Sequence, residues 1–179
     1  MGTPGGAARG LEIGEGEGRR CGRSSEEGEW NAAASGSPTG GAIAYTPRVK
    51  GRFQIRVADP TSGDTHIIAG EGSNEQPTWS PDGQWITFQS TREGRTCDQQ
   101  YVMKTDGSSM KRISNGHGKT TCGWFLPDGN RLLLASSDAN HKVSPPKLDP
   151  SNGNGRGLDP SYLYSVNRHA PTLKRISRN

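Results

Sequence analysis

One pattern returns along this chain at a fixed distance, and that repetition constrains the fold more than any other feature. Pro77 to Ser90 reads PTWSPDGQWITFQS: a short apolar strand, an SPDG turn, then a strand alternating large and polar residues. Such a stretch is a β-hairpin. Proline presets φ at the second turn position, aspartate bonds to the local backbone, and glycine accepts the angles that let the chain reverse. Shifted by 46 residues, Pro81, Asp82 and Gly83 fall on Pro127, Asp128 and Gly129, while Ile86, Phe88 and Ser90 fall on Leu132, Leu134 and Ser136. A shift of 43 in the other direction overlays SPDGQWITF on SPTGGAIAY, Ser37 to Tyr45.

The second half of the unit repeats too. YVMKTDGSSMKRIS, Tyr101 to Ser114, aligns backwards by 46 with Ile55 to Ile68 and forwards by 63 with YSVNRHAPTLKRIS, Tyr164 to Ser177, where 17 additional residues intervene. Asp106 and Gly107 mark the turn between its two strands. A period in the forties with four short strands per unit is the signature of β-propeller blades. The predicted fold is therefore all-β, a partial propeller of about three four-stranded antiparallel blades over 37–70, 71–114 and 115–177. From the axis outward, blade two is predicted as Thr78 to Ser80, Trp85 to Ser90, Gln99 to Thr105 and Met110 to Ile113. Blade three is predicted as Cys122 to Phe125, Arg131 to Ser137, Tyr162 to Asn167 and Leu173 to Ile176.

The stretches WSPDG, FQSTREG, YVMKTDGS and KRIS resemble the repeat of TolB-type propellers, over about Ser37 to Ser177. Blade three departs from it, with Phe125-Leu126 in place of Trp-Ser and HAP in place of the aspartate-glycine turn. The resemblance implies a scaffold for protein contact, in a family whose TolB member acts in the Tol-Pal system of the bacterial envelope, and it implies no catalytic residue and no cofactor. The same blade type also occurs in serine peptidases of the prolyl oligopeptidase type, an alternative that a GxSxG motif elsewhere in the protein would support. A reading frame without independent function is a further alternative. Closed propellers have about four to eight blades. Three therefore predict further blades or self-association.

The 179 residues suggest one domain. Only 28% are hydrophobic and 26 are glycine, which suits short strands with many turns. Residues 1–36, rich in Gly, Glu, Arg and Ser, show no apolar periodicity and are predicted to be a disordered tail. The tail has no apolar centre of signal-peptide type, although the resembled family suggests a periplasmic or exported protein. No apolar run approaches the roughly 20 residues of a membrane span. Net charge is +4, and the basic pairs Lys111-Arg112 and Lys174-Arg175 lie beside apolar residues on outer strands, a pattern unlike a nucleic-acid patch.

Cys21, Cys97 and Cys122 show no metal-binding spacing. Blade geometry puts the loop holding Cys97 and the start of blade three, at Cys122, on one face, so a Cys97–Cys122 disulfide is a candidate. That face also carries the 138–160 insert, with His141, Pro145, Pro146, Asp149 and Asp159, and the 115–119 loop with His117. Insertions in one repeat decorate binding faces, so these residues form the candidate partner-binding face. The four histidines are scattered and no nucleophile stands beside a base, so neither a metal site nor catalysis is predicted.

Overall fold

The computed structural model describes residues 12–15, 19–23, 30–137 and 162–177. Strands β1 (Glu12–Glu15) and β2 (Arg19–Arg23) form a two-stranded antiparallel ladder. Blade one is built from β3 (Trp30–Gly36), β4 (Ile43–Val49), β6 (Ile55–Ala58) and β7 (Thr65–Ala69), with the short β5 (Arg52–Phe53) folded back on β4. Blade two runs β8 (Asn74–Trp79), β9 (Trp85–Ser90), β10 (Gln99–Lys104), β11 (Lys111–Arg112). Blade three runs β12 (Thr120–Phe125), β13 (Arg131–Ser136), β14 (Tyr162–Asn167), β15 (Lys174–Arg175). All pairings are antiparallel and each blade is an up-and-down meander. The all-β propeller architecture follows from the repeat.

Three expectations need correction. Trp30–Gly36 belongs to blade one as its innermost strand, which moves the start of that blade back from 37 to 30. Its small residues offer no apolar periodicity, yet backbone pairing does not need one: the exposed edge of β4 supplies the ladder. The inner strands of blades two and three start earlier than predicted, at Asn74 and Thr120. Finally, Phe88 pairs Tyr101 in blade two while Tyr45 pairs Arg56 in blade one. Since Tyr45 overlays Phe88, the third strand aligns with a shift of 45, not 46, and Val57 rather than Arg56 matches Val102.

That one-residue difference decides what meets what, because side chains on a strand alternate between faces. Ala44, Ile55, Val57, Ile68 and Ala69 of blade one pack against Trp79, Ile86, Phe88, Tyr101 and Met103 of blade two. The opposite face of blade two sends Val102 and Ile113 into a second core with Leu132, Leu134, Tyr164 and Val166 of blade three. Each inter-blade layer is thus a small apolar sandwich.

The turns carry the expected chemistry locally. Gly83, Gly107 and Gly129 have φ of 68°, 82° and 66°. Gly83 N–H and Gly129 N–H donate to the carbonyls of Ser80 and Leu126, each at 2.9 Å, behind Pro81 and Pro127. Asp82 Oδ1 accepts from Gln84 N–H at 3.1 Å, Asp106 Oδ1 from Ser108 N–H at 2.8 Å, and Asp128 Oδ1 from Asn130 and Arg131 N–H at 2.9 Å each.

Candidate functional site at the propeller axis

The three innermost strands share a defect at equivalent points. Register shifts between Ala32 and Ala34 in β3, between Glu75 and Thr78 in β8, and between Thr121 and Trp124 in β12. Within them Ala33, Gln76 and Cys122 take φ of 46°, 53° and 56°, a left-handed conformation uncommon for residues other than glycine. Their spacings, 43 and 46, are the two repeat distances. Each is a β-bulge, which removes residues from the ladder, bends the strand and re-aims side chains. Strain repeated at matched positions motivates a functional reading.

Around the bulges lies a cavity of about 300 Å³, lined by Ala33 to Ser35, Gln76 to Thr78 and Cys122 to Trp124. Its wall is braced from behind. Trp79 Nε1 donates to the Ser35 carbonyl at 2.8 Å, tying blade two to blade one. Cys122 N–H donates to Gln89 Oε1 at 3.4 Å, tying blade three to blade two. Gly123 has no room for a side chain: a Cβ there would sit 2.2 Å from Gln100 Nε2, which is buried and donates to Thr87 Oγ1 at 2.7 Å. Trp124 remains 62% exposed at the rim. The cavity is small, mostly apolar in its lining and open to solvent.

Beside Gln76, the Glu75 carboxyl is held above its ordinary range, first by burial and then by the charge of Asp98, with Lys119 opposing. Lys119 Nζ lies 3.2 Å from Asp98 Oδ2. A second depression, of about 370 Å³, is lined by Arg52, Glu71 to Ser73 and Thr91 to Gly94. In it the Arg92 guanidinium is buried over the Phe88 and Tyr101 rings, 5.5 and 5.3 Å from their centroids, and donates to the Glu71 carbonyl at 3.3 Å. Cation–π contact and the carbonyl explain its burial structurally.

Of the predicted partner face, loops 91–98 and 115–119 do come together: Arg95 Nη1 donates to the Gly116 carbonyl at 3.3 Å and Gln99 Nε2 to that of Gly118 at 2.8 Å. His117 is exposed there, its N–H donating to Asn115 Oδ1 at 3.0 Å. His141, Pro145, Pro146, Asp149 and Asp159 lie outside the described residues. Cys97 and Cys122 are both free thiols, which corrects the candidate disulfide. Because β12 begins at Thr120, it is Thr120 whose N–H meets the Asp98 carbonyl, at 2.9 Å, and Cys122 is carried two residues down the strand into the axial bulge. Among the described residues, no group of three His, Cys, Asp or Glu side chains is arranged to hold a metal, and no helix is long and apolar enough to cross a membrane.

No single residue type announced the bulges or Trp124. The available signal was the repeat spacing itself, together with a glycine, Gly123, inside an otherwise bulky strand.

Comparison with known proteins agrees with the geometry. No family model matches the chain. An uncharacterised protein of Agrobacterium fabrum is 36% identical over 118 residues, 63% of this chain and 38% of that protein. The Tol-Pal system protein TolB of Geobacter sulfurreducens is 40% identical over 75 residues, 41% of this chain and 17% of that protein. The chain thus spans well under half the length of these relatives. The crystal structure of TolB from Acinetobacter baumannii superposes with a TM-score of 0.71 at 22% identity, covering 96% of this chain and 38% of that one. Protease propellers and oligogalacturonate lyases share the fold at 15% identity or less, which carries the fold alone.

Proposed function

From a chain built of TolB-like β-propeller blades, we propose a non-catalytic scaffold that binds a protein partner through an extended segment held at the propeller axis. The observation that carries this reading is the threefold bulge at Ala33, Gln76 and Cys122 around the axial cavity. A bulged strand presents backbone groups that its own ladder does not use, and an extended peptide recognises such groups with small pockets beside them. The exposed Trp124 supplies an aromatic anchor of the kind that dominates protein contacts. The face with His117 and the 91–98 loop borders the same axis and widens the contact. By analogy with the Tol-Pal relatives, the partner is an envelope protein and the compartment the periplasm.

Calorimetric titration with purified Pal proteins, from bacteria whose TolB propellers this chain resembles, tests the proposal. Saturable binding that Ala34→Trp abolishes by filling the cavity is the expected result. Binding unchanged by Ala34→Trp would move the contact away from the axis. No heat with any Pal would remove the Tol-Pal reading.

A further inference from the structure

Between blades one and two, a buried arginine is only half used. Arg92 is 8% exposed, with its guanidinium over the Phe88 and Tyr101 rings. Its side-chain hydrogen bonds, to the Glu71 carbonyl at 3.3 Å and to Asn74 Oδ1 at 3.5 Å, both leave from Nη2. Nε is sealed from solvent without an acceptor, and Nη1 has no acceptor among the described residues, although Arg92 lines the depression of about 370 Å³. A guanidinium offers five donors in a planar fork, and leaving them unmet in a buried place costs free energy. The repeat itself does not demand an arginine here: the 46-residue shift to blade three puts Asp138 at this position. The walls of the depression are held firmly. Asn74, fully buried, brings Nδ2 within 3.4 Å of the carbonyls of Phe53, Ala69 and Glu71, and its Oδ1 accepts from the Ser90 hydroxyl at 2.8 Å. Ser73 N–H donates to Thr91 Oγ1 at 3.2 Å and Thr91 N–H to the Ser73 carbonyl at 3.1 Å, joining the two loops. Walls set before a ligand arrives lower the cost of binding it.

We propose that this depression is a carboxylate-binding site, in which Arg92 Nη1 and the Arg52 guanidinium hold the group between blades one and two. Arg52 lines the depression, exposed and without an ion pair among the described residues. Two acids stand there as well. Glu93 is already engaged by Arg95 and Arg112, at 3.4 and 3.0 Å, so Glu71 alone counters Arg52 and Arg92, and the balance favours an anion. The planar fork of arginine matches a carboxylate. A carboxylate brings one negative charge past Glu71 and Glu93, whereas a phosphate dianion brings two and is repelled more strongly. Both an acidic side chain of a protein partner, which arginine clusters commonly read, and a small dicarboxylate carry the required group. The site shares no lining residue with the axial cavity, so it stands or falls apart from the contact proposed there.

The test is an NMR titration of the isotope-labelled full chain with four probes: a Gly-Glu-Gly-Glu-Gly peptide, its glutamine counterpart, succinate and inorganic phosphate. Saturable shifts are expected in the amides of residues 71–73 and 91–94 and in the Arg92 Nε–H. They should appear with the glutamate peptide where the source is a protein, with succinate where it is a small molecule, and not with the glutamine peptide. Arg52→Gln should weaken binding about tenfold, the loss of one charge-assisted contact. Gly94→Asp should abolish it, because Gly94 lines the depression, a Cβ there meets nothing within 4 Å, and the new carboxylate repels the ligand. Aspartate is among the residues that tolerate a φ such as the 69° of Gly94, and Arg52 is exposed, so both variants should melt close to the parent. Lys174→Gln, on the outer strand of blade three, removes a remote positive charge and should change nothing. Phosphate binding more tightly than either carboxylate probe overturns the proposal. So does an equal loss in Lys174→Gln, which would mean general attraction to a basic chain, or the absence of shifts at these amides up to about 10 mM probe.

Discussion

Blade two and blade three differ in what surrounds an almost identical local structure. In both, the second basic residue of KRIS folds back on the segment's last carbonyl: Arg112 Nε donates to the Ser114 carbonyl and Arg175 Nε to that of Ser177, each at 3.1 Å. Both serine hydroxyls accept from the neighbouring strand, Ser114 Oγ from Gln100 N–H at 3.0 Å and Ser177 Oγ from Leu163 N–H at 3.1 Å. Yet Ser114 and Ile113 are buried while Ile176 is half exposed. Local sequence sets the hydrogen bonds. Burial is set by whether another sheet lies alongside, and a side chain contributes hydrophobic stability in proportion to that covered area.

The largest way to break this comparison is to truncate both isoleucines. Ile113→Ala should cost about 2 to 5 kcal/mol, because it removes apolar contact and leaves a cavity in a closed layer. Ile176→Ala, measured in dilute protein, should stay within about 0.5 kcal/mol, as exposed substitutions do. Urea unfolding of the two variants decides. Equal losses would mean that blade three is covered in solution even at low concentration.

Repetition explains why so much of the fold could be read from the residues. Pro81, Asp82 and Gly83 returning as Pro127, Asp128 and Gly129 placed two hairpins, and the third strand of blade three, Tyr162–Asn167, matched its expected bounds. What escaped was whatever depends on neighbours and not on pattern. Trp30–Gly36 has no periodicity of its own and is ordered by β4. The 45-residue alignment of Val57 with Val102 arises from a short β4–β6 connection that no residue type announces. The axial bulges lie in backbone angles, and Ala33, Gln76 and Cys122 have nothing chemical in common. The cysteine pairing failed for the same reason, since a strand starting two residues early moved Cys122 away from the loop that holds Cys97.

A second contrast sits in the turn before each outer strand, TDGSS in blade two and RHAPT in blade three. Gly107 has φ of 82°, and a Cβ on it would stand 2.8 Å from the Ile68 carbonyl on the outermost strand of blade one. Backbone angle and backbone crowding both demand glycine there. Blade three closes the equivalent turn without one, with Thr172 N–H donating to the Ala170 carbonyl at 2.7 Å. Gly107→Ala should destabilise by about 1 to 3 kcal/mol, whereas Ala170→Gly, at an exposed position, should change stability by no more than about 0.5 kcal/mol. Thermal melts of the pair sharpen the comparison. An undisturbed melt for Gly107→Ala would mean that blade one yields at Ile68 without cost.

The smallest effect is the acid response of the matched turn aspartates. Asp128 is held down to about 2, first by the Arg131 backbone N–H, then by the Arg131 side chain and the Asn130 N–H. Asp82 is also lowered, chiefly by the Ser80 hydroxyl. A carboxylate bonded in the folded state binds its proton less readily there than in the unfolded chain. The stability it contributes is present above the unfolded value of 3.8 and drains away as pH falls from there through the folded value. Glu75 works with the opposite sign: its folded carboxyl is raised, so its share is lost as pH climbs past the unfolded value of 4.5. Melts between pH 5 and about 2 should therefore fall less steeply in Asp82→Asn and Asp128→Asn than in the parent, with Asp128→Asn flattening the curve further into acid. Both turns are exposed to solvent and screened by salt, so each change is a fraction of the loss expected from Ile113→Ala. An acid slope unaltered in both variants would show that the turns hold their shape through proline and glycine alone, with the aspartates adding nothing to either blade.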